Sequence, residues 1–226
     1  MKFIKIIFII SSIIFSKTAL SQPVDIPGIG RAVQNASRAV PGTDPAFLMA
    51  VMSRESGFKP GTKSSESTAT GWYQFIDKTW IIIVYRYGAK HGRVLEASKI
   101  KVSTLGIPFV DKYWMPHILD LRNDIEFSSL MAAEILRDDK ITIEKILQRR
   151  ISKAESYLTH YLGAQAAVEF IENDENIENY KEIENDIDKK IKVSELYLLD
   201  QNKKSKIVMA QFKYIFEYLQ IILFIG

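Results

Sequence analysis

The chain has 226 residues, 47% hydrophobic and 25% charged, which suits one folded domain with an appended segment and excludes wholesale disorder or a multi-span membrane protein. It has no cysteine and only three histidines (His91, His117 and His160), which removes disulfides, thiolate metal sites, cysteine nucleophiles and a multi-histidine centre; no metal or organic cofactor is implied. Three of the 30 basic residues (Lys2, Lys5 and Lys17) lie in residues 1–21, where there is no acidic residue. The remaining 27 balance the 27 acidic ones, without the basic excess of a nucleic-acid binder.

In chain order, residues 1–21 read as a signal peptide: a basic start at Lys2 and Lys5, an apolar run from Ile6 to Phe15, and small Ala19 and Ser21 before a cut at Gln22. The run is too short to span a bilayer comfortably, and the expectation is export to the periplasm. Residues 22–43, with Pro23, Pro27, Gly28, Gly30, Pro41 and Gly42, read as a loose lead-in with a short helix over 31–40. Asp44-Pro45 is a helix start, with Asp as N-cap and Pro at the first helical position, and Gly57 is the stop. A loop rich in Ser, Thr, Lys and Gly follows to Gly71. Asp77 is a second N-cap candidate, before a helix over Lys78–Tyr87. Residues 89–116 read as irregular, and helices are expected over Phe127–Leu136, Ile141–Leu147 and Ser156–Ile171. No two-residue alternation persists, so the fold class is all-α.

Beyond residue 172 the composition shifts. Residues 172–192 hold eight acidic and four basic side chains, with Ile177, Tyr180, Ile183, Ile187 and Ile191 at intervals of three and four, which fits either a solvated amphipathic helix or a charged linker. Residues 207–226 are apolar, but Lys213 and Glu217 sit inside the stretch, which favours a packed helix over membrane contact. The organisation expected is thus a signal peptide (1–21), a lead-in (22–43), a catalytic domain (44–172), and a charged segment with a C-terminal helix (173–226).

One carboxyl group stands out. In the helix from Pro45, Phe47, Leu48, Val51 and Met52 share a face, and Glu55 lies at i+4 from Val51 and i+3 from Met52, where that face ends. A carboxyl group in that place is partly desolvated, which raises its pKa and suits it to donate a proton near neutral pH. The loop hydroxyls of Ser65 and Ser67 are candidates to orient it.

The motif Glu55-Ser56-Gly57-Phe58, the Ser/Thr loop, Gly71-Trp72-Tyr73-Gln74-Phe75 and Thr79-Trp80 resembles the core of the soluble lytic transglycosylases, whose fold is similar to goose-type lysozyme. Ser128–Arg137 and Tyr157–Gly163 look like later segments of that family, although Trp72 replaces the usual aliphatic residue and Leu162 the usual Asn. The resemblance implies a lysozyme-like helical domain that cleaves the β-1,4 bond between N-acetylmuramic acid and N-acetylglucosamine of peptidoglycan. Glu55 would act first as acid and then as base, leaving a 1,6-anhydro product. It also implies sugar contacts from Gln74, Tyr73 and Tyr161, with Glu66, Asp77 and Glu134 as further carboxyl groups that either approach the cleft or serve the scaffold. Peptidoglycan strands are the implied partner, and envelope secretion or flagellar machinery is a partner some members of the family have. The competing readings are a muramidase-type hydrolase on the same fold and a non-catalytic wall-binding scaffold.

Overall fold

A computed structural model describes residues 26–173 and 176–201 of the chain. The expectations for residues 1–21 and 207–226 lie outside the described residues. The first helix, α1, runs over Ile26–Ala39. Its positions Ile29, Val33, Ala36 and Val40 recur at intervals of four, three and four, and all are buried. The short helix expected over 31–40 is present but starts earlier, at Ile26, and belongs to the core; Pro27 sits in its first turn, where its missing N–H costs nothing.

Helix α2 (Pro45–Ser56) is bounded as the sequence dictates. The Asp44 side chain accepts from the Ala46 N–H at 2.9 Å, and Gly57 closes the helix at φ 58° with its N–H on the Ser53 carbonyl. The single apolar face read from the sequence is only part of the picture. Every residue from Ala46 to Ser53 is buried, because α2 is the central helix of the fold. One side of it packs on α1 and on α6 (Ile125–Leu147), and the other is covered by α9 (Ile177–Gln201). The segment beyond Glu172 is thus the amphipathic helix of the two expected alternatives. It inserts Ile187, Ile191, Tyr197 and Leu198 into the main core, while Ile177 stays half exposed.

Helix α3 (Asp77–Tyr87) follows the Ser/Thr-rich loop. The region read as irregular then holds α4 (Val94–Ser98) and a short hairpin of β1 (Ile100–Val102) against β2 (Pro108–Val110), with Ile100 opposite Val110. Helix α5 (Met115–Asp120) and a 3-10 turn over Leu121–Asn123 lead into α6. The separate helices expected at 127–136 and 141–147 are one continuous α6, capped by Asp124, which accepts from the Phe127 N–H at 3.1 Å.

The helical stretch expected at 156–171 is divided into α7 (Lys153–Leu162) and α8 (Ala164–Ile171), broken at Gly163 with φ 80°. A reciprocal capping box fixes the start of α7: Ser152 accepts from the Glu155 N–H, and Glu155 accepts from the Ser152 N–H. This sets the register of every later side chain on α7. Helices dominate the described residues, and the all-α class holds with the hairpin as its one sheet there. None of these helices is long and apolar enough to cross a membrane.

Candidate active site

Glu55 stands one residue before the end of α2, where the helix emerges from the core. Its carboxylate Oε1 accepts a 2.9 Å hydrogen bond from the Tyr157 hydroxyl, which comes from α7. Burial is the largest influence on this carboxyl group and pushes its pKa above the ordinary range. The nearby His160, the Tyr157 hydrogen bond and Arg54 each pull it back. The net direction is upward, as the sequence reading required. Tyr157 is itself buried and raised well above the usual phenol range, first by desolvation and then by the Glu55 charge, so it stays protonated and remains a donor.

Two further groups frame the pair. The Arg54 guanidinium lies 5.0 Å from the centre of the Tyr157 ring. His160, one turn further along α7, packs its ring edge-on against Phe75 at 5.5 Å.

The loop across from α7 is held by backbone geometry. Thr70 bridges both Lys63 and Phe75, and the Gly71 N–H donates to the Thr62 carbonyl at 2.9 Å. Gly71 has φ 85°, and a Cβ there would lie 2.3 Å from the Arg122 carbonyl oxygen, so only glycine fits between the loop and the 3-10 turn. Gln74 adopts φ 51°, a left-handed conformation costly for a residue with a side chain. Its Nε2 offsets that strain by donating to both the Thr62 and Gly71 carbonyls at 2.9 Å. Gln74 therefore shapes the loop with its amide nitrogen, and it remains partly exposed.

Arg122 completes the junction from below. This buried side chain donates to the carbonyls of Leu119, Thr68 and Phe75 and to Asp77 Oδ1, at 2.8–3.0 Å. Asp77 is thus corrected from N-cap to the first residue of α3, where its carboxylate faces Arg122 and its N–H donates to Thr68 Oγ1.

Several expected site residues are displaced from that role. Tyr73 is fully buried, its hydroxyl 3.3 Å from Ser129 Oγ, and burial drives its pKa upward; it is a core residue and not a sugar contact. Trp72 is likewise packed inside, its Nε1 donating to the Asn123 carbonyl. Ser65 and Ser67 are exposed, and the hydroxyl that reaches Glu55 is that of Tyr157. Ser67 Oγ instead accepts from the Ala69 N–H, which stabilises its own turn.

Tyr161 is 61% exposed and stacks on Tyr157 with ring centres 6.2 Å apart. The tyrosine whose hydroxyl meets Glu55 is Tyr157, one helical turn earlier on the same face. The signal that could have found it was the start of the helix: Ser152 and Glu155 form a capping-box pattern in the sequence, and a helix begun there turns Tyr157 inward. Glu134 is fully buried and ion-paired with Lys90, His91 and Arg137 at 2.5–2.7 Å, so it serves the scaffold. Glu66 lies exposed in the loop. Among the described residues no cluster of His, Cys, Asp or Glu is arranged to hold a metal ion.

The helical scaffold, with a desolvated glutamate tied to a tyrosine at the end of its central helix, is consistent with an all-α lysozyme-like fold. Residues 33–98 match the family model for the Transglycosylase SLT domain, which supports the resemblance to the soluble lytic transglycosylases. The match spans α1 to the end of α4 and includes Glu55, Gln74 and the whole intervening loop. A domain of this kind implies peptidoglycan binding.

Proposed function

We propose that the protein is a periplasmic lytic transglycosylase in which Glu55 carries out both proton transfers. The observation that carries this reading is the desolvated Glu55 carboxyl group, raised in pKa yet fixed by the Tyr157 hydroxyl at 2.9 Å. A carboxyl group in that state is neutral over a wider pH range than a solvated one and can protonate the glycosidic oxygen as the bond between N-acetylmuramic acid and N-acetylglucosamine breaks. The substrate's own acetamido oxygen attacks the anomeric carbon from the opposite side and holds the positive charge that develops there. Glu55, now a carboxylate stabilised by the Tyr157 hydroxyl, takes the proton from the sugar's C6 hydroxyl. The C6 oxygen then closes on the anomeric carbon, displaces the acetamido oxygen and gives the 1,6-anhydro product.

One carboxyl group is enough for this sequence because the substrate supplies the nucleophile. The carboxyl groups of Asp77 and Glu134, considered from the sequence as seconds, are committed to Arg122 and to the Lys90, His91 and Arg137 cluster. Gln74 is partly exposed, and with its Nε2 committed to the Thr62 and Gly71 carbonyls we assign its amide oxygen to accept from a sugar N–H or hydroxyl group. The exported location rests on the pattern of residues 1–21.

The test is mass spectrometry of peptidoglycan digested by the mature protein, with Glu55→Gln alongside. The expected products end in anhydro-muramic acid, lighter by one water than hydrolytic ends, and Glu55→Gln gives none. Reducing ends would replace this reading with a hydrolase on the same fold. Turnover by Glu55→Gln above a few per cent of wild type would remove Glu55 from the acid/base role. Wall binding without cleavage by either protein would favour a scaffold.

A further inference from the structure

We infer that Asp186 on α9 is a positioning residue for Glu55, acting through Arg54 and Tyr157. The inference rests on the reading of Glu55 as the acid/base. The structure aligns a continuous set of contacts from the outside of the fold to that carboxyl group. Asp186 pairs with the Arg54 guanidinium, and Lys190, one turn along α9, lies 3.3 Å from the other carboxylate oxygen of Asp186. Arg54 sits over the Tyr157 ring, and Tyr157 donates to Glu55. Asp186 and Lys190 are each 14% exposed and Arg54 is one third exposed, so the triad is shielded enough for its charges to act at short range. Asp186 lies far outside the segment 33–98 that matches the family model, so this support is supplied by a helix the family match does not include.

The physical role follows from the position of Arg54 between two acidic groups. Without a counter-charge, the guanidinium would act at full strength on Glu55 and favour its ionised form, which cannot donate a proton. Asp186 draws the guanidinium outward and neutralises most of its field, while leaving its cationic face on the Tyr157 ring. Tyr157 is thereby held where its hydroxyl meets Glu55. The groups facing Glu55 are Arg54 from its own helix and Tyr157 and His160 from α7, with Asp186 and Lys190 reaching it only through Arg54. His160 acts on Glu55 in the same direction as Arg54.

The experiment measures the titration midpoint of the Glu55 carboxyl group by carbon NMR of glutamate-labelled full-length mature protein, together with the pH profile of kcat/KM on purified peptidoglycan. Asp186→Asn should lower the midpoint and move the alkaline limb of the profile to lower pH. It should also reduce kcat on the order of tenfold with little change in KM, within the loss of about a hundredfold that a displacement of about 1 Å can cause. Arg54→Met should move both readouts the other way. Adding Asp186→Asn to Arg54→Met should then change neither, because Asp186 acts through Arg54.

A midpoint unmoved by Asp186→Asn, or moved equally in the Arg54→Met background, would overturn the inference. If Asp186→Asn does not fold, Lys190→Met supplies the opposite perturbation. It leaves Asp186 to Arg54 alone and should raise the midpoint; an unmoved midpoint in Lys190→Met would overturn the inference as well. The NMR readout needs no turnover, so it separates a failure of this inference from a failure of the catalytic reading, which Glu55→Gln tests.

Discussion

Replacing Arg122 with methionine removes the clamp under the active-site loop while nearly preserving side-chain length. The wild-type guanidinium makes three bonds to carbonyls and one to Asp77. Each carbonyl keeps another donor after the change: Thr68 accepts from Thr70 Oγ1, Phe75 from the Thr70 N–H, and Leu119 from the Leu121 N–H. The loss is therefore near the net value of a hydrogen bond, about 1–1.5 kcal/mol for each carbonyl, and not the larger penalty of an orphaned acceptor. Asp77 is 38% exposed on its side chain and rehydrates, so its pair contributes at most about 1 kcal/mol.

The expected destabilisation is about 4 kcal/mol, a large part of the roughly 5–15 kcal/mol that holds a domain together. Urea unfolding followed by tryptophan fluorescence should show a lower midpoint with an unchanged slope, and Tm should fall by roughly 10 °C. A loss below about 1 kcal/mol would refute the assignment of Arg122 as the clamp between the loop and the 3-10 turn.

Other outcomes follow from the same geometry. Glu134→Gln breaks a fully buried carboxylate from Lys90, His91 and Arg137 and should cost about 3 kcal/mol, the lower end for a buried pair because Lys90 is half exposed and can rehydrate. Desolvation opposes ionisation of Glu134, but the bonds from Lys90 and His91 and the Arg137 charge outweigh it and hold its pKa below the ordinary value. Its contribution is therefore complete above the ordinary glutamate pKa and fades as pH falls through the lowered one. The gap between wild type and Glu134→Gln in a chemical-denaturation series should close on acidification.

Tyr157→Phe deletes a hydrogen bond that favours ionised Glu55, so the Glu55 pKa should rise further and the alkaline limb of kcat/KM should shift upward. In that variant kcat should fall on the order of tenfold, for loss of a bond to a charged group worth about 1.5–3 kcal/mol. A pH profile that superimposes on wild type would exclude Tyr157 as the partner of Glu55.

Much of the fold was legible where local chemistry is decisive. Asp44-Pro45 and Gly57 set both ends of α2 by capping and backbone conformation alone, and the position of Glu55 one turn beyond Val51 and Met52 followed. The hairpin at 100–110 escaped because each strand has three residues, too short for alternation to register. Helix α1 was obscured by Pro27, Gly28 and Gly30, which read as breakers although Pro27 lies in its first turn. Tyr73 was misplaced because an aromatic beside a polar loop looks the same in sequence whether it faces sugar or core; only the Ser129 hydroxyl on α6, 56 positions away, shows where its own hydroxyl ends. The choice between Tyr157 and Tyr161 turned on helix phase, since i and i+4 share a face and only the depth of burial separates them. The partnership of Arg54 with Asp186 spans 132 positions, and no local pattern encodes it.

That separation also orders events in time. Helix α2 is complete in the growing chain long before α9 exists, and its outer face lacks the Ile187, Ile191 and Tyr197 side chains until α9 has been made. Contacts this distant in sequence form late, because the intervening chain must first be ordered. The helix that bears Glu55 is consequently finished last although it is made early. The segment 33–98 on its own would leave the side of α2 that α9 covers open to water. The docking of α9 is therefore the contact that closes the second side of the helix bearing Glu55.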